Sequence, residues 1–246
     1  MIGLLRSEWV KLRSVRSTMW TMTGVVLVMI VFAYLNGAMS SGQASRHPVG
    51  AATQVALGAA PFASLIVASM GVLAISGEYR TGMIRTTLLA VPRRGRMLTA
   101  KAAVFAAFVF AVCLPACLVA FLVGQAALGS SGVGLGAPGV VRMIVGCALY
   151  LTGAGLLGLG LGTVVRHTAG GVVTVMAALF ILPQLIGMLP NGIGARLMPY
   201  VTSVAGVRIM SSNPGVLSPW AGFGVFCLWA AGAMLAALIL LRRRDA

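Results

Sequence analysis

Six long apolar stretches that contain no charged side chain constrain this chain more than any other feature of its sequence. A helix needs about 20 mostly apolar residues to cross the hydrocarbon core of a bilayer. A single charge near the centre of such a helix costs about 2.5–3.5 kcal/mol on the insertion scale, so six uncharged stretches are not expected by chance. The predicted membrane spans are Met19–Met39, Val55–Ser76, Ala102–Leu128, Met143–Val165, Thr168–Leu189 and Pro219–Leu241.

The composition supports a membrane location. The chain is 59% apolar and its mean hydropathy is +1.01, which is more apolar surface than a soluble domain of 246 residues would bury. Backbone groups inside a bilayer must be hydrogen-bonded within the protein, which restricts the spans to helices or a closed barrel. Because the stretches are long and lack strict alternation, helices are favoured. The sequence therefore predicts an all-α protein with six transmembrane helices in one domain, residues 1–246.

The basic residues predict the orientation of these helices. Fourteen of the 18 Lys and Arg side chains lie beside span ends on one predicted side, and the positive-inside rule makes that side cytoplasmic, with both termini there. A pI near 11.5 could suggest nucleic acid, but these charges are divided among membrane borders and form no single basic face. Anionic lipid headgroups are the expected neighbours, and no nucleic-acid partner is predicted.

Residues 2–17 are predicted to form an amphipathic helix on the membrane surface. Its apolar residues fall within one arc at 100° per residue, Arg6 and Arg13 lie opposite, and Trp9 suits the headgroup region. Glu8 falls inside the apolar arc. It either forms an exposed pair with Lys11, pairs with Arg16, or faces a groove of the protein.

Residues 77–101, between the second and third spans, are the most informative polar stretch. Glu78, one of only three acidic residues, is followed by Arg80 at the predicted membrane border, and a short helix is predicted over Thr81–Ala90. One interpretation is a basic loop that only sets topology. The other, which the lone acidic residue and the apolar run beginning at Leu88 favour, is a contact surface for a cytoplasmic partner.

Glycines in the fourth span match the pattern GxGxxG at Gly153, Gly155 and Gly158. The match is rejected, because a nucleotide-binding fingerprint needs a preceding strand and a later acidic residue. Gly158 and Gly162 instead form a GxxxG pair, which lets helices approach closely in lipid. With Gly155 they predict a helix–helix contact, either within the chain or between chains.

The remaining connections are predicted to hold no separate domain. Residues 40–54 are interpreted as a short external loop, and residues 190–218 as an external segment with short re-entrant or interfacial helices. Pro61, Pro115 and Pro183 are expected to kink their spans.

The sequence contains no recognisable catalytic or metal-binding motif. GxxxxGK[ST], HExxH, GxSxG and CxxC are absent, and three acidic residues and two histidines are too scattered to form a convincing active site. No charged residue lies at predicted membrane depth, so a proton- or ion-coupled pump is poorly supported. We expect a protein that is not an enzyme, with no cofactor or metal of its own.

Four stretches resemble the ABC-2-type permeases, the membrane subunits of bacterial ABC exporters. They are Ser7–Trp20 (SEWVKLRSVRSTMW), Gly71–Lys101 (GVLAISGEYRTGMIRTTLLAVPRRGRMLTAK), Leu217–Phe226 (LSPWAGFGVF) and Leu240–Ala246 (LLRRRDA). The resemblance implies the ABC-2 (type V exporter-like) architecture, a bacterial inner-membrane location, and pairing with a second permease copy or a related permease. It also implies a separate ABC ATP-binding subunit that binds ATP and Mg²⁺.

The resemblance further assigns roles to residues. It implies a coupling helix over Arg80–Ala90 that contacts the ATPase subunit, the N-terminal helix beside it, and a gate in residues 190–218. The implied coupling residues are Glu78, Arg80, Thr81, Arg85 and Leu88, and those of the N-terminal helix are Glu8, Trp9, Arg13 and Arg16. Glu78 is expected to meet Arg13, Arg16 or Arg85.

Other functions remain open at this point. A sensor, anchor or immunity subunit without transport would bind a partner but move no substrate. A membrane enzyme or a secondary carrier would need polar or ionisable groups within the spans, and the sequence offers almost none.

Overall fold

The computed structural model describes residues 2–14, 16–40, 49–80, 94–190, 192–213 and 215–243. Within these ranges every regular element is helical. The helices are α1 Ile2–Ser14, α2 Arg16–Ser40, α3 Val49–Leu57, α4 Ala60–Arg80, α5 Arg94–Leu128, α6 Val140–Val165, α7 Thr168–Met176, α8 Leu182–Gly187, α9 Ile193–Leu197, α10 Thr202–Val207 and α11 Pro219–Arg243. A π-helical turn, Ala177–Ile181, joins α7 to α8.

Six helical segments in the described part of the chain are long and apolar enough to cross a membrane. They are Ser17–Ser40, Ala60–Arg80, Gly95–Ser131, Val140–Val165, Thr168–Gly187 and Pro219–Leu241. The predicted all-α fold with six transmembrane helices is therefore confirmed. Three of the differences between predicted and observed boundaries bear on the fold.

The predicted second span, Val55–Ser76, is interrupted at Gly58 and Ala59, where α3 ends and α4 begins. Pro61, the second residue of α4, has no N–H to continue a helix from α3 but suits a first turn. The proline therefore stands beside a break and not within a kinked helix.

The predicted external loop 40–54 also needs correction, because its last residues are the first turns of α3. Ala52 and Ala56 of this helix are fully buried, and a side chain at Gly124 of α5 would collide with Ala56. Gln125 of α5 donates to the Ala52 carbonyl at 3.0 Å, which fastens the two helices.

The predicted polar segment 77–101 is shorter than expected. α4 continues to Arg80 and α5 begins at Arg94, eight residues before the predicted start of the third span at Ala102. Pro115 lies inside α5, which runs through it as one helix. The predicted helix Thr81–Ala90 lies outside the described residues.

α6 is the central helix of the bundle. In the most apolar 18 residues of α6, 78% of the residues are buried. The corresponding share is 22% in each of the segments Thr168–Gly187 and Pro219–Leu241. The face of α6 toward α4 is made of glycines. A Cβ at Gly158 would overlap the Ala68 carbonyl, and one at Gly162 would lie 2.9 Å from the Val72 Cα. Close backbone approach lets the two helices pack without side chains between them.

The predicted external segment holds the short helices α9 and α10, neither long enough to cross a membrane. It packs against the bundle and does not extend away from it. Thr202 and Ser203 donate to the carbonyls of Ala178 and Leu179 in the π-helical turn, the second at 2.6 Å. These bonds satisfy acceptors that an irregular turn leaves without a helical partner.

The bundle has two chemically different ends. At one end, which we call the charged end, α1 meets the end of α4 and the start of α5, and Leu241 of α11 packs against Met97 and Tyr79. At the other, the opposite end, the α3–α4 break faces residues 203–211, as Gln54 shows by donating to the Met210 carbonyl at 3.4 Å. The chain ends in the described range therefore lie on the same side of the bundle.

Candidate functional site

Four charged side chains form a compact cluster at the charged end. Lys101 Nζ lies 2.5 Å from Glu8 Oε2 and 2.8 Å from Glu78 Oε1. Lys11 Nζ lies 2.8 Å from Glu8 Oε1 and 3.1 Å from Glu78 Oε1. Each ammonium thus bridges both carboxylates. We call these four residues the charge cluster.

Three helices bring the charge cluster together. Glu8 and Lys11 are three residues apart on α1, which places them on one face of that helix. Glu78 lies in the last turn of α4, and Lys101 lies in the third turn of α5. The cluster therefore joins the N-terminal helix to two membrane-spanning helices.

The charge cluster is withdrawn from solvent. Glu8 is 2% exposed, Lys101 5% and Glu78 7%, while Lys11 is partly exposed. Removing ions from water costs several kcal/mol each, and close opposite charges offset that cost only while every partner is in place. Among the described side chains, two carboxylates face two ammonium groups, so displacement of one of them disturbs its partners.

The electrostatics of the cluster keep Glu8 and Lys11 charged. Burial by itself would raise the pKa of Glu8, but the Lys101 ammonium and, after it, Lys11 hold that pKa below its ordinary value of 4.5. Burial would likewise lower the pKa of Lys11, but its hydrogen bond to Glu8 and the neighbouring Glu78 carboxylate raise it above 10.5. The ion pair between Glu8 and Lys11 is therefore formed at neutral pH.

Aromatic contacts fasten the same region. Trp9 of α1 meets Phe108 of α5 edge to face, with ring centroids 6.1 Å apart. The Arg166 guanidinium lies 5.3 Å from the centre of the Tyr79 ring, a cation–π contact between the end of α6 and the end of α4. Together, the charge cluster and the Arg166–Tyr79 contact connect the end of α4 to α1, α5 and α6.

The N-terminal residues that the sequence singled out lie in or next to this site. Glu8 belongs to the charge cluster and Trp9 touches α5. Arg13 and Arg16 lie at the end of α1 and the start of α2, and the described part of the structure does not include their side chains. The expected exposed Glu8–Lys11 pair is wrong as to exposure: the pair forms, but Glu8 is buried in a groove because Lys101 meets it from α5.

The partners expected for Glu78, Arg13, Arg16 or Arg85, lie outside the described side chains, so that pairing stays a prediction. The described partners of Glu78 are Lys11 and Lys101. Arg80 is exposed at the end of α4, whereas Thr81, Arg85 and Leu88 lie outside the described residues. Lys101 was missed, although the scarcity of acidic residues is a usable signal: a buried carboxylate at a membrane border needs a nearby cation.

The predicted glycine contact falls within one chain. Gly158 and Gly162 face α4, and Gly155 faces Phe105 of α5 and Val67 of α4. The described residues hold no group of three or more metal-ligating side chains. In the charge cluster two lysines neutralise two carboxylates, and the four side chains join α1 to α4 and α5.

The connection 81–93 runs between two members of the charge cluster. Glu78 precedes it by three residues, and Lys101 follows it by eight. The chain therefore enters and leaves this connection at the ends of α4 and α5 that the charge cluster ties to α1.

The described residues form a polytopic helical membrane protein with a buried cluster of ion pairs at one end of the bundle. The sequence profile described as "ABC-2 family transporter protein" matches residues 4–189. The chain therefore belongs to the ABC-2 transporter family and is a membrane permease of that family. Among the curated proteins compared with it, none matches.

Proposed function

We propose that this permease is the membrane subunit of an ATP-driven exporter in a bacterial plasma membrane, with the charged end in the cytoplasm. A separate ABC ATP-binding subunit would supply the energy and bind ATP and Mg²⁺, and a second permease copy or a related permease would complete the translocation path. Family membership supports the transport role. The basic residues beside the charged end support its cytoplasmic orientation.

The observation that carries the proposal is the position of the charge cluster. It ties α1 to the two helices that lead into and out of the connection 81–93. In the proposed mechanism the ATP-binding subunit contacts this connection and the nearby face of α1, with Arg80, Thr81, Arg85 and Leu88 on the contact surface. Closure of the ATP-binding subunits then displaces the connection.

The displacement would pass into the membrane as a rigid-body movement. Since Glu78 and Lys101 share their ion pairs with Glu8 and Lys11, α1, α4 and α5 move as one unit. The tight α4–α6 contact then carries the movement to the centre of the bundle. Inward and outward access would alternate as this unit tilts against its counterpart in the second permease.

The first test is purification of the tagged protein from its own cells in a mild detergent, followed by mass spectrometry of the proteins that accompany it. We expect a stoichiometric ABC ATP-binding subunit. Its absence in repeated preparations, including gently crosslinked ones, would contradict the exporter proposal and favour a sensor or anchor.

A second test addresses coupling in the assembled complex. The double variant Glu78→Gln, Lys101→Met should retain the ATP-binding subunit but reduce transport per ATP hydrolysed. The reason is that the charge cluster would no longer link α4 and α5 to α1. Arg6→Gln is the matched control, since Arg6 is exposed on α1 and makes no contact with the cluster. Unchanged coupling in the double variant would refute this role for the charge cluster.

A further inference from the structure

At the opposite end of the bundle, the described residues include cations such as Arg208 but no carboxylate. The sequence has three acidic residues. Glu8 and Glu78 belong to the charge cluster, and Asp245 lies outside the described residues. α11 alone, at 25 residues and 1.5 Å per residue, separates the two ends by about 37 Å. Within the described part of the chain, no carboxylate therefore lies close enough to neutralise Arg208.

Arg208 is held in place by neutral acceptors. Its Nε donates to the Leu217 carbonyl at 3.3 Å, its Nη1 to Ser211 Oγ at 3.2 Å, and its Nη2 to the Asn213 carbonyl at 2.9 Å. A side chain at Gly215 would collide with the guanidinium, so the backbone closes over it there. Since a guanidinium carries five N–H donors, these three bonds leave donors for a further acceptor.

Arg142 serves as an internal comparison. It also lies at the opposite end, and its guanidinium donates to the Ile209 carbonyl at 2.7 Å and the Ser211 carbonyl at 3.1 Å. These bonds fasten residues 209–211 to α6. Arg142 does not line the cavity between the α3–α4 break and residues 203–211. Its role is structural.

Arg208 lines a cavity of about 580 Å³ between the α3–α4 break and the segment 203–211. Small-molecule sites are usually about 300–1,000 Å³, mostly apolar, with a few polar groups that orient the ligand. The cavity has this composition: apolar side chains of Leu57, Val204 and Val207 stand beside Arg208 and the Ser211 hydroxyl that it contacts.

We propose that this cavity binds an amphiphile with a phosphate-bearing head, the phosphate at Arg208 and the apolar body against Leu57, Val204 and Val207. A guanidinium matches phosphate oxygens with paired N–H donors. A preformed apolar wall next to a cation selects a ligand that has both chemistries. The inference stands apart from the ATP-binding partner, because it concerns the permease alone and the other end of the bundle.

The test measures lipid binding to the purified permease in an uncharged detergent, by native mass spectrometry. The probes are phosphatidylglycerol, phosphatidylcholine and inorganic phosphate. We expect phosphatidylglycerol to bind more tightly than phosphatidylcholine, and inorganic phosphate to compete weakly because it lacks the apolar body. Inorganic phosphate that binds as well as the lipid, through Arg208, would replace the amphiphile with a free-anion site and overturn the proposal.

Variants separate charge, shape and folding. Arg208→Gln should weaken phosphatidylglycerol binding about tenfold or more, and Arg208→Lys should retain part of it because the charge remains. Val204→Trp should weaken binding by filling the cavity while leaving Arg208 in place. Arg196→Gln is the matched control, an exposed arginine of the same external segment outside the cavity.

The outcomes decide the proposal even if Arg208→Gln folds poorly. Loss of binding in Val204→Trp, with Arg208→Lys intermediate and Arg196→Gln unchanged, supports the site. Binding that is unchanged in both Arg208→Lys and Val204→Trp, or equal loss in Arg196→Gln, overturns it.

Discussion

Lys101 Nζ lies 2.5 Å from Glu8 Oε2, although the two residues are 93 positions apart in the chain. This contact joins a helix outside the predicted spans to the third transmembrane helix. It makes the N-terminal helix part of the bundle and not merely a membrane anchor beside it. The same lysine holds Glu78, so one side chain connects three helices.

Replacement of Lys101 by Met should be strongly destabilising. Loss of one member of a buried ion pair typically costs about 3–5 kcal/mol, and we expect about 3 kcal/mol here because Lys11 still faces both carboxylates. The apparent free energy of unfolding in mixed micelles titrated with SDS is the measurement. Arg6→Gln, on the exposed face of α1, is the control and should change it by less than about 0.5 kcal/mol.

A double-mutant cycle with Glu8→Gln and Lys101→Met isolates the interaction between the two residues. The double variant should be less destabilised than the sum of the single variants, since the second substitution removes a charge that the first left unpaired. Strict additivity would mean that the two side chains do not interact in the folded protein.

Acidification should lower the free energy of unfolding through Glu8. Because the pKa of Glu8 is held below 4.5 in the folded state, its contribution to stability is present above the unfolded-state value and is lost as the pH falls through the lower, folded-state value. The unfolding free energy of the wild-type protein should therefore decline below about pH 4.5. Glu8→Gln should lack this part of the decline, and equal slopes in the two proteins would contradict the assignment.

Alkaline pH should act through Lys11 in the opposite sense. The pKa of Lys11 is raised above 10.5, so its contribution is present below the unfolded-state value and is lost as the pH rises through the folded-state value. Stability should not change through this pair between pH 6 and pH 9. A decline in that range that Lys11→Met removes would show that the Lys11 ammonium is not stabilised as the structure indicates.

Gly158→Ala should separate α4 from α6. The added methyl group would overlap the backbone carbonyl of Ala68, which cannot rotate away as a side chain could, and overpacking of this kind costs about 1–3 kcal/mol. Gly232→Ala is the matched control, because a Cβ at that position of α11 meets nothing within 4 Å. Gly232→Ala should be neutral or slightly stabilising, since alanine favours a helix over glycine. Equal effects of the two substitutions would contradict the close α4–α6 contact.

Arg166 combines a backbone cost with a side-chain contact. It ends α6 in the left-handed conformation, at φ 58°, where a residue with a Cβ is strained. Arg166→Gly and Arg166→Ala both remove the contact with Tyr79, but only glycine relieves the strain. The glycine variant should be more stable than the alanine variant by about 1 kcal/mol in the same SDS titration, and the reverse order would contradict this geometry.

Features that depend on neighbouring residues could be predicted from the sequence. The six spans, the N-terminal helix and the glycine contact of α6 all follow from patterns read within about one helix length. The break before α4 was harder, since Gly58 and Pro61 lie in an apolar stretch whose hydropathy does not change there. Whether such a stretch is one helix or two depends on the packing of α3 against α5.

The sequence by itself determined that this chain is a helical membrane protein, because hydropathy and charge at span borders act locally through the free energy of insertion. Only the tertiary structure decided that Glu8 and Glu78 share Lys11 and Lys101, and that Arg208 faces a cavity. Those partners come from different helices. Their distances depend on how the helices cross, which is set by close packing between surfaces far apart in the chain.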